Sequence, residues 1–197
     1  MSAERKGRVE VMLAGLEPTK GPADLAAIPA NRWLAGMSRA IFQAGFNWTA
    51  VDRMWSGMET AFQGFDPGWC AHIEEARLDA LLADCSIGRH GAKVRAMAEN
   101  ARFVNGMDGL GTWVGSFGSD RFAELLVASK TDGSRLDGTT AQYFLRFQGV
   151  DGWTLSPDVS ARLVAKGVVE GVTPSPVGRL MRSRRRSRNG GRTRVIH

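Results

Sequence analysis

The sequence predicts an all-α protein, and three observations carry that prediction. Apolar residues recur at spacings of three and four along most of the chain, no segment alternates with period two, and Asn, Asp or Ser stands ahead of several periodic stretches. Asn31 precedes Trp33, Leu34, Met37 and Ile41, one helical face. Gly45-Phe46-Asn47 breaks that helix, and Asn47 is placed to cap the next, whose stripe is Trp48, Val51, Met54, Trp55, Met58 and Phe62. Asp66-Pro67 reads as N-cap and first position of a short helix. Leu78, Leu81 and Leu82 mark another, and Val94, Met97, Ala98 and Ala101 one entered through the Gly88–Gly91 turn. Ser119 is expected to cap a helix with Phe122, Leu125 and Leu126, and Thr139 or Thr140 to open one with Tyr143, Phe144 and Phe147. Ser156-Pro157 caps a last helix bearing Val159, Leu163 and Val164, closed by Gly167. The glycine-rich stretch Gly106–Gly118 reads as a loop.

These signals divide the chain into an N-terminal arm over 1–30, a helical domain over 31–174 and a basic, disordered tail over 175–197. The chain has 197 residues, 43% of them hydrophobic, enough for one domain with a core of its own. No apolar run approaches the roughly 18 residues of a membrane span, so no membrane partner is expected. Cys70 and Cys85 are too few for a disulfide framework, which suggests a reduced, cytoplasmic protein. The net charge of +6 looks like a nucleic-acid signal but belongs to the tail. Eight arginines lie between Arg179 and Arg194; without them 18 basic residues face 20 acidic ones. Any basic footprint on the body is therefore local. The tail reads either as a tether for any polyanion or as the altered end of a frame-shifted gene.

Three ordered motifs carry a resemblance. Phe42-Gln43-Ala44-Gly45-Phe46-Asn47-Trp48 leads on to Phe62-Gln63-Gly64-Phe65-Asp66-Pro67. Ile87-Gly88-Arg89-His90-Gly91-Ala92-Lys93 follows, with Asn100-Ala101 behind it, and then Gly138-Thr139-Thr140. Over roughly Arg32 to Val168 the chain resembles the DNA-3-methyladenine glycosylase I family, of the helix-hairpin-helix glycosylase superfamily. The resemblance implies a two-lobed helical bundle around a base-binding cleft, acting as a monomer on double-stranded DNA with a damaged base. It also implies hydrolysis of the N-glycosidic bond of an alkylated purine such as 3-methyladenine. No lysine stands at the superfamily's lyase position, which implies a monofunctional enzyme. Three departures narrow the likeness. Ala40 stands where the family carries a base-contacting glutamate, the family's terminal zinc ligands have no counterpart, and its aromatic N-terminal segment is missing. A zinc-free branch with no cofactor is the expectation, and a non-catalytic DNA-lesion or DNA-structure binder of the same fold is the alternative.

The resemblance assigns roles residue by residue. Trp48 matches the pocket tryptophan and is expected to stack on the base; the other reading places it in the core. Gln43 and Asn47 are expected to read the base edge, or to be a buried amide and a helix cap. Tyr143 either lines the cleft or packs inside. Asp158, in the first turn of a helix where the macrodipole favours an anion, is the catalytic candidate, although acids are common at such positions. Gly138, Thr139 and Thr140 are expected to hold a phosphate through a helix start. Arg89 and Lys93 form a second candidate DNA-backbone contact, or a solvated helix start.

Overall fold

Asn47 and Asp66 act as their positions ahead of apolar stripes require. In the computed structural model, which describes residues 18–168, Asn47 Oδ1 accepts from the Thr49 N–H at 2.9 Å, and Asp66 Oδ1 accepts from that of Trp69 at 2.6 Å. Ser156 Oγ does the same for Val159 at 3.2 Å. Each satisfies a donor that a helix start leaves without an acceptor, a contribution of about 1 kcal/mol.

The described residues form ten α-helices and two 3₁₀ turns, with no strand among them. The helices are α1 (Pro22–Ala26), α2 (Ala30–Gln43), α3 (Trp48–Ala61), α4 (Pro67–Ala71) and α5 (Glu75–Ala83). They continue as α6 (Gly91–Gly106), α7 (Leu110–Gly115), α8 (Phe122–Asp132), α9 (Gly138–Phe147) and α10 (Pro157–Ala165). The N-terminal 17 residues and the Arg-rich tail expected to be disordered lie outside the described residues.

Two apolar cores organise these helices, and α2 serves both. Its Trp33, Met37, Ala40 and Ile41 enter the first, with residues of α1, α7, α8 and α9. Its Leu34, Ala35 and Phe42 enter the second, with residues of α3, α4 and α5. α6 divides in the same way, sending Val104 to the first core and Val94, Met97, Ala98 and Ala101 to the second. Residues three and four apart on one side of a helix share a face; two such faces on one helix require a partner on each side. The lobes are thus joined by helices buried in both. Inside the first core, Trp33 meets Phe144 edge to face at 5.9 Å. Burial of each such large side chain contributes about 1.5–3 kcal/mol.

Several expectations need correction. The stretch 106–118 is not a plain loop, because Leu110–Gly115 is helical and buries Leu110 and Val114. Glycine makes this possible: a Cβ on Gly111 would run into the Leu25 carbonyl of α1, so α1 and α7 pack backbone against backbone there. Ser119 lies in a 3₁₀ turn ahead of α8 and makes no side-chain cap. α9 begins at Gly138 with Asp137 as N-cap, so both threonines sit inside its first turn. Asn31 is also inside its helix, and its side chain donates to the Gly64 carbonyl at 3.3 Å.

The two cysteines differ in a way that can be measured. Cys70 is fully buried, its thiol donating to the Phe62 carbonyl at 3.6 Å; burial first, and nearby Asp66 second, push its pKa up to about 12. Cys85 is exposed. Since the thiolate is the reactive form, one thiol per chain is expected to react with an aromatic disulfide reagent at pH 8 in the native protein, and two in denaturant. Two fast thiols in the native protein contradict this packing.

Candidate functional site

The turn from α2 to α3 is where the sequence concentrates its candidates. Gly45 takes a left-handed backbone (φ 73°), which glycine adopts without strain, and the chain reverses over Ala44–Asn47. Asn47 spends its side-chain oxygen on the cap, leaving its Nδ2 group as the donor that remains. Trp48, at the first position of α3, is 41% exposed and so is no core residue. It meets Tyr143 of α9 edge to face, centroids 5.1 Å apart and planes at 90°, and Phe147 at 5.9 Å and 77°. Tyr143 and Phe147, one helical turn apart, stack at 6.0 Å. Tyr143 is half-buried and Phe147 is 54% exposed. Three aromatic rings from two helices therefore share a patch that solvent reaches. Phe46, just ahead of Trp48, adds a fourth exposed ring.

Gln43 closes α2 and is buried, yet its Oε1 has no hydrogen-bond partner among the described residues. A buried carbonyl oxygen without a donor costs free energy that a ligand's N–H would recover. Ala40, three residues earlier, is buried in the first core and brings no polar group.

Lys93 is the clearest correction. It was expected at a DNA phosphate, but its side chain is turned inward and buried. Nζ donates to the Phe42 carbonyl at 3.1 Å and the Ala44 carbonyl at 2.8 Å, and lies 4.2 Å from the centre of the Phe46 ring. Burial, then the charge of Arg135, lower its pKa below the usual lysine value. An ammonium engaged in this way has no reach to a phosphate. Arg89 remains exposed and has no partner among the described residues, while His90 touches the Phe46 ring edge to face at 6.3 Å.

The Gly138-Thr139-Thr140 start of α9 is approached by a backbone held elsewhere. Gly138 has φ 52°, Thr139 is exposed, and Thr140 N–H bonds back to the Asp137 carbonyl at 3.1 Å. The N–H groups of Gly138 and Thr139 have no acceptor inside the helix, as at any helix start. The Asp137 carboxylate is exposed beside them and opposes an anion. Asp158, at the second position of α10, is exposed and makes no hydrogen bond or ion pair among the described residues. No contact joins it to the Trp48 patch. α10 is entered from Leu155, whose N–H donates to Gln142 Oε1 at 2.6 Å, next to Tyr143.

The structure therefore brings Trp48 and Tyr143 together, sets Gln43 and Asn47 in the turn ahead of them, removes Lys93, and leaves Asp158 apart. Sequence reasoning misses Phe147, which there only marks the periodicity of its helix, and Phe46, which there is only part of a helix break. A surface groove of about 560 Å³, lined by Ala71, His72, Glu74, Arg102, Asn105 and Gly106, contains none of the predicted residues.

A family model described as methyladenine glycosylase matches residues 32–123. Over that segment, just under half of the chain, the sequence is similar to the methyladenine glycosylase family. The fold agrees. A crystal structure of 3-methyladenine DNA glycosylase I matches with a TM-score of 0.55 and 24% identity, covering 61% of this chain and 79% of that one. The Staphylococcus aureus 3-methyladenine DNA glycosylase I matches with a TM-score of 0.55 and 17% identity, over 68% of this chain and 79% of that one. A solution structure of 3-methyladenine DNA glycosylase I matches with a TM-score of 0.53 and 21% identity, over the same shares. Among curated proteins no match is found. Gln43, Asn47, Trp48, Arg89 and Lys93 fall inside the matched segment. Gly138, Thr139, Thr140, Tyr143 and Asp158 lie beyond it.

Proposed function

We propose that this protein is a monofunctional DNA base-excision glycosylase that removes an alkylated purine such as 3-methyladenine. The observation that carries the reading is the solvent-accessible cluster that Trp48, at the head of α3 and inside the matched segment, forms with Tyr143 and Phe147 of α9, which lie beyond that segment. A base stacked in a duplex hides its glycosidic bond, so the nucleotide is flipped out at a cost of a few kcal/mol. Methylation at a purine ring nitrogen makes the base cationic. The π face of Trp48 favours that cation by about 0.5–2 kcal/mol over a neutral base. Gln43 Oε1, with no donor of its own, accepts a hydrogen bond from the base edge. The cationic base is already a good leaving group, so the remaining need is to stabilise positive charge on the sugar or to orient water. Asp158 is proposed for that role. The helix start at Gly138–Thr140 and the exposed Arg89 are proposed to hold the DNA backbone.

The test is incubation with duplex DNA carrying N3-methyladenine. Free base should appear together with abasic sites that become strand breaks only after alkali. Breaks without alkali would exclude the monofunctional reading, and no release from a folded protein would exclude the enzyme. The second reading, a lesion binder without chemistry, is favoured by two observations: Ala40 buried where the resemblance expects a glutamate, and Asp158 without a partner among the described residues. Tight binding to the methylated duplex with no base release selects it.

A further inference from the structure

We infer that α6 sets the distance between the aromatic turn and the Gly138 turn through two buried polar side chains, Lys93 and Asn100, acting as positioning residues. The inference rests on the proposed glycosylase reading for what the two turns do, and on the structure for how they are held. Lys93 and Asn100 are seven residues apart, nearly two full turns, so they project from one face about 10 Å apart along the axis. Their neighbours Val94, Met97 and Ala101 are all buried and apolar. A polar group in such surroundings is costly unless bonded. Both are bonded, Lys93 to the C-terminal end of α2 and Asn100 to the loop ahead of α9.

Lys93 Nζ reaches the carbonyls of Phe42 and Ala44 at the open end of α2, where carbonyls lack helical partners. Asn100 Nδ2 donates to the Ser134 carbonyl at 3.0 Å, and its Oδ1 accepts from the Ser134 N–H at 2.8 Å. The amide thus replaces a backbone partner on both sides of one residue. Each clamped residue stands four positions ahead of a proposed functional group: Ala44 ahead of Trp48, and Ser134 ahead of Gly138. The rest of α6 is packed into both cores, so the two clamps share one rigid support. Supporting bonds of this kind decide whether a site holds its working geometry.

The test compares Lys93→Met and Asn100→Leu with the conservative pair Lys93→Arg and Asn100→Asp in the full chain. Hydrogen exchange by mass spectrometry is read over 43–47 and 134–138. Single-turnover base release and affinity for a methylated duplex, at several salt concentrations, are read beside it. Lys93→Met should speed exchange in 43–47 alone, and Asn100→Leu in 134–138 alone. Each should lower release about tenfold or more, as small misplacements do; Lys93→Met should change duplex affinity less than about twofold, while Asn100→Leu, which loosens the turn proposed to hold the DNA backbone, should weaken it with the salt slope unchanged. Lys93→Arg, which still donates to two carbonyls, should recover most of the loss. Asn100→Asp, which keeps only the acceptor, should fall between.

Wild-type exchange and release in the Met and Leu variants overturn the proposal. So does a weaker duplex affinity with the salt slope reduced by about one, which makes Lys93 a phosphate contact. If the wild-type protein releases no base, the glycosylase reading fails by itself, and the exchange pattern alone decides the positioning role. If Lys93→Met does not fold, the two Asn100 variants and Lys93→Arg give the same comparison.

Discussion

Replacing Trp48 with alanine is expected to lower release of an N3-methylated adenine by roughly one to two orders of magnitude and to leave the fold in place. Stacking of a base on an aromatic side chain contributes about 1–3 kcal/mol, and each 1.4 kcal/mol is a factor of ten. The cationic charge of the methylated base adds to this on the indole face. Stability should change little, because Trp48 is 41% exposed and its ring contacts are with Tyr143 and Phe147, themselves partly exposed. Trp48→Phe keeps a smaller π face and should recover part of the loss. The measurement is single-turnover release beside the thermal midpoint. A lower midpoint that accounts for the lost release by unfolding would return Trp48 to a packing role. Unchanged release would remove it from the site.

Most of the fold was legible in the sequence because helical periodicity records which side of a helix is covered. The stripes through Trp33 and Met37 and through Val51 and Met58 were readable for that reason, and the caps at Asn47, Asp66 and Ser156 needed only local chemistry. What failed depended on contacts distant in sequence. Helix α7 contains Gly111 and Gly115, which argue for a loop until the Leu25 carbonyl of α1 is seen to occupy the space a side chain would need. Phe147 continues an apolar stripe, and nothing local says that its turn of α9 faces solvent.

Lys93 shows the same limit at the candidate site. Beside Arg89 and His90 it reads as a basic cluster, yet its partners are carbonyls 51 and 49 residues away. A signal did exist: Lys93 falls on the same helical side as Met97 and Asn100, which sit among buried apolar residues. A lysine on such a face is either engaged by backbone or absent from the core. The ordered motifs led to a family resemblance and to the fold. They did not lead to the geometry, because a motif fixes residue types while the contacts between turns are made by helices such as α6.

Asp158→Asn is expected to have the larger effect on chemistry, a fall in release of about 10²–10³-fold, in the range for losing one preorganised charge opposite a developing one. The local structure favours an anion here. Ser156 caps α10, so the Asp158 carboxylate lies in the first turn, at the positive end of the helix dipole. The group is exposed and makes no bond among the described residues, so no structural duty competes for it. Its reach is set by Leu155, pinned by Gln142 beside Tyr143; three further residues of chain span at most about 10 Å. The proposed role requires that a flipped nucleotide whose base stacks on Trp48 bring its sugar to this carboxylate. Asparagine keeps the shape and the hydrogen-bonding capacity of the first turn and removes only the charge, so stability should move by no more than about 1 kcal/mol. Duplex affinity should hold or rise, since an anion near phosphates is lost. Reduced release with undiminished affinity thus assigns Asp158 to the chemical step, in contrast to Trp48→Ala, where a preference for the methylated over the undamaged duplex should be lost as well. Wild-type release from Asp158→Asn would leave the carboxylate as an ordinary first-turn acid.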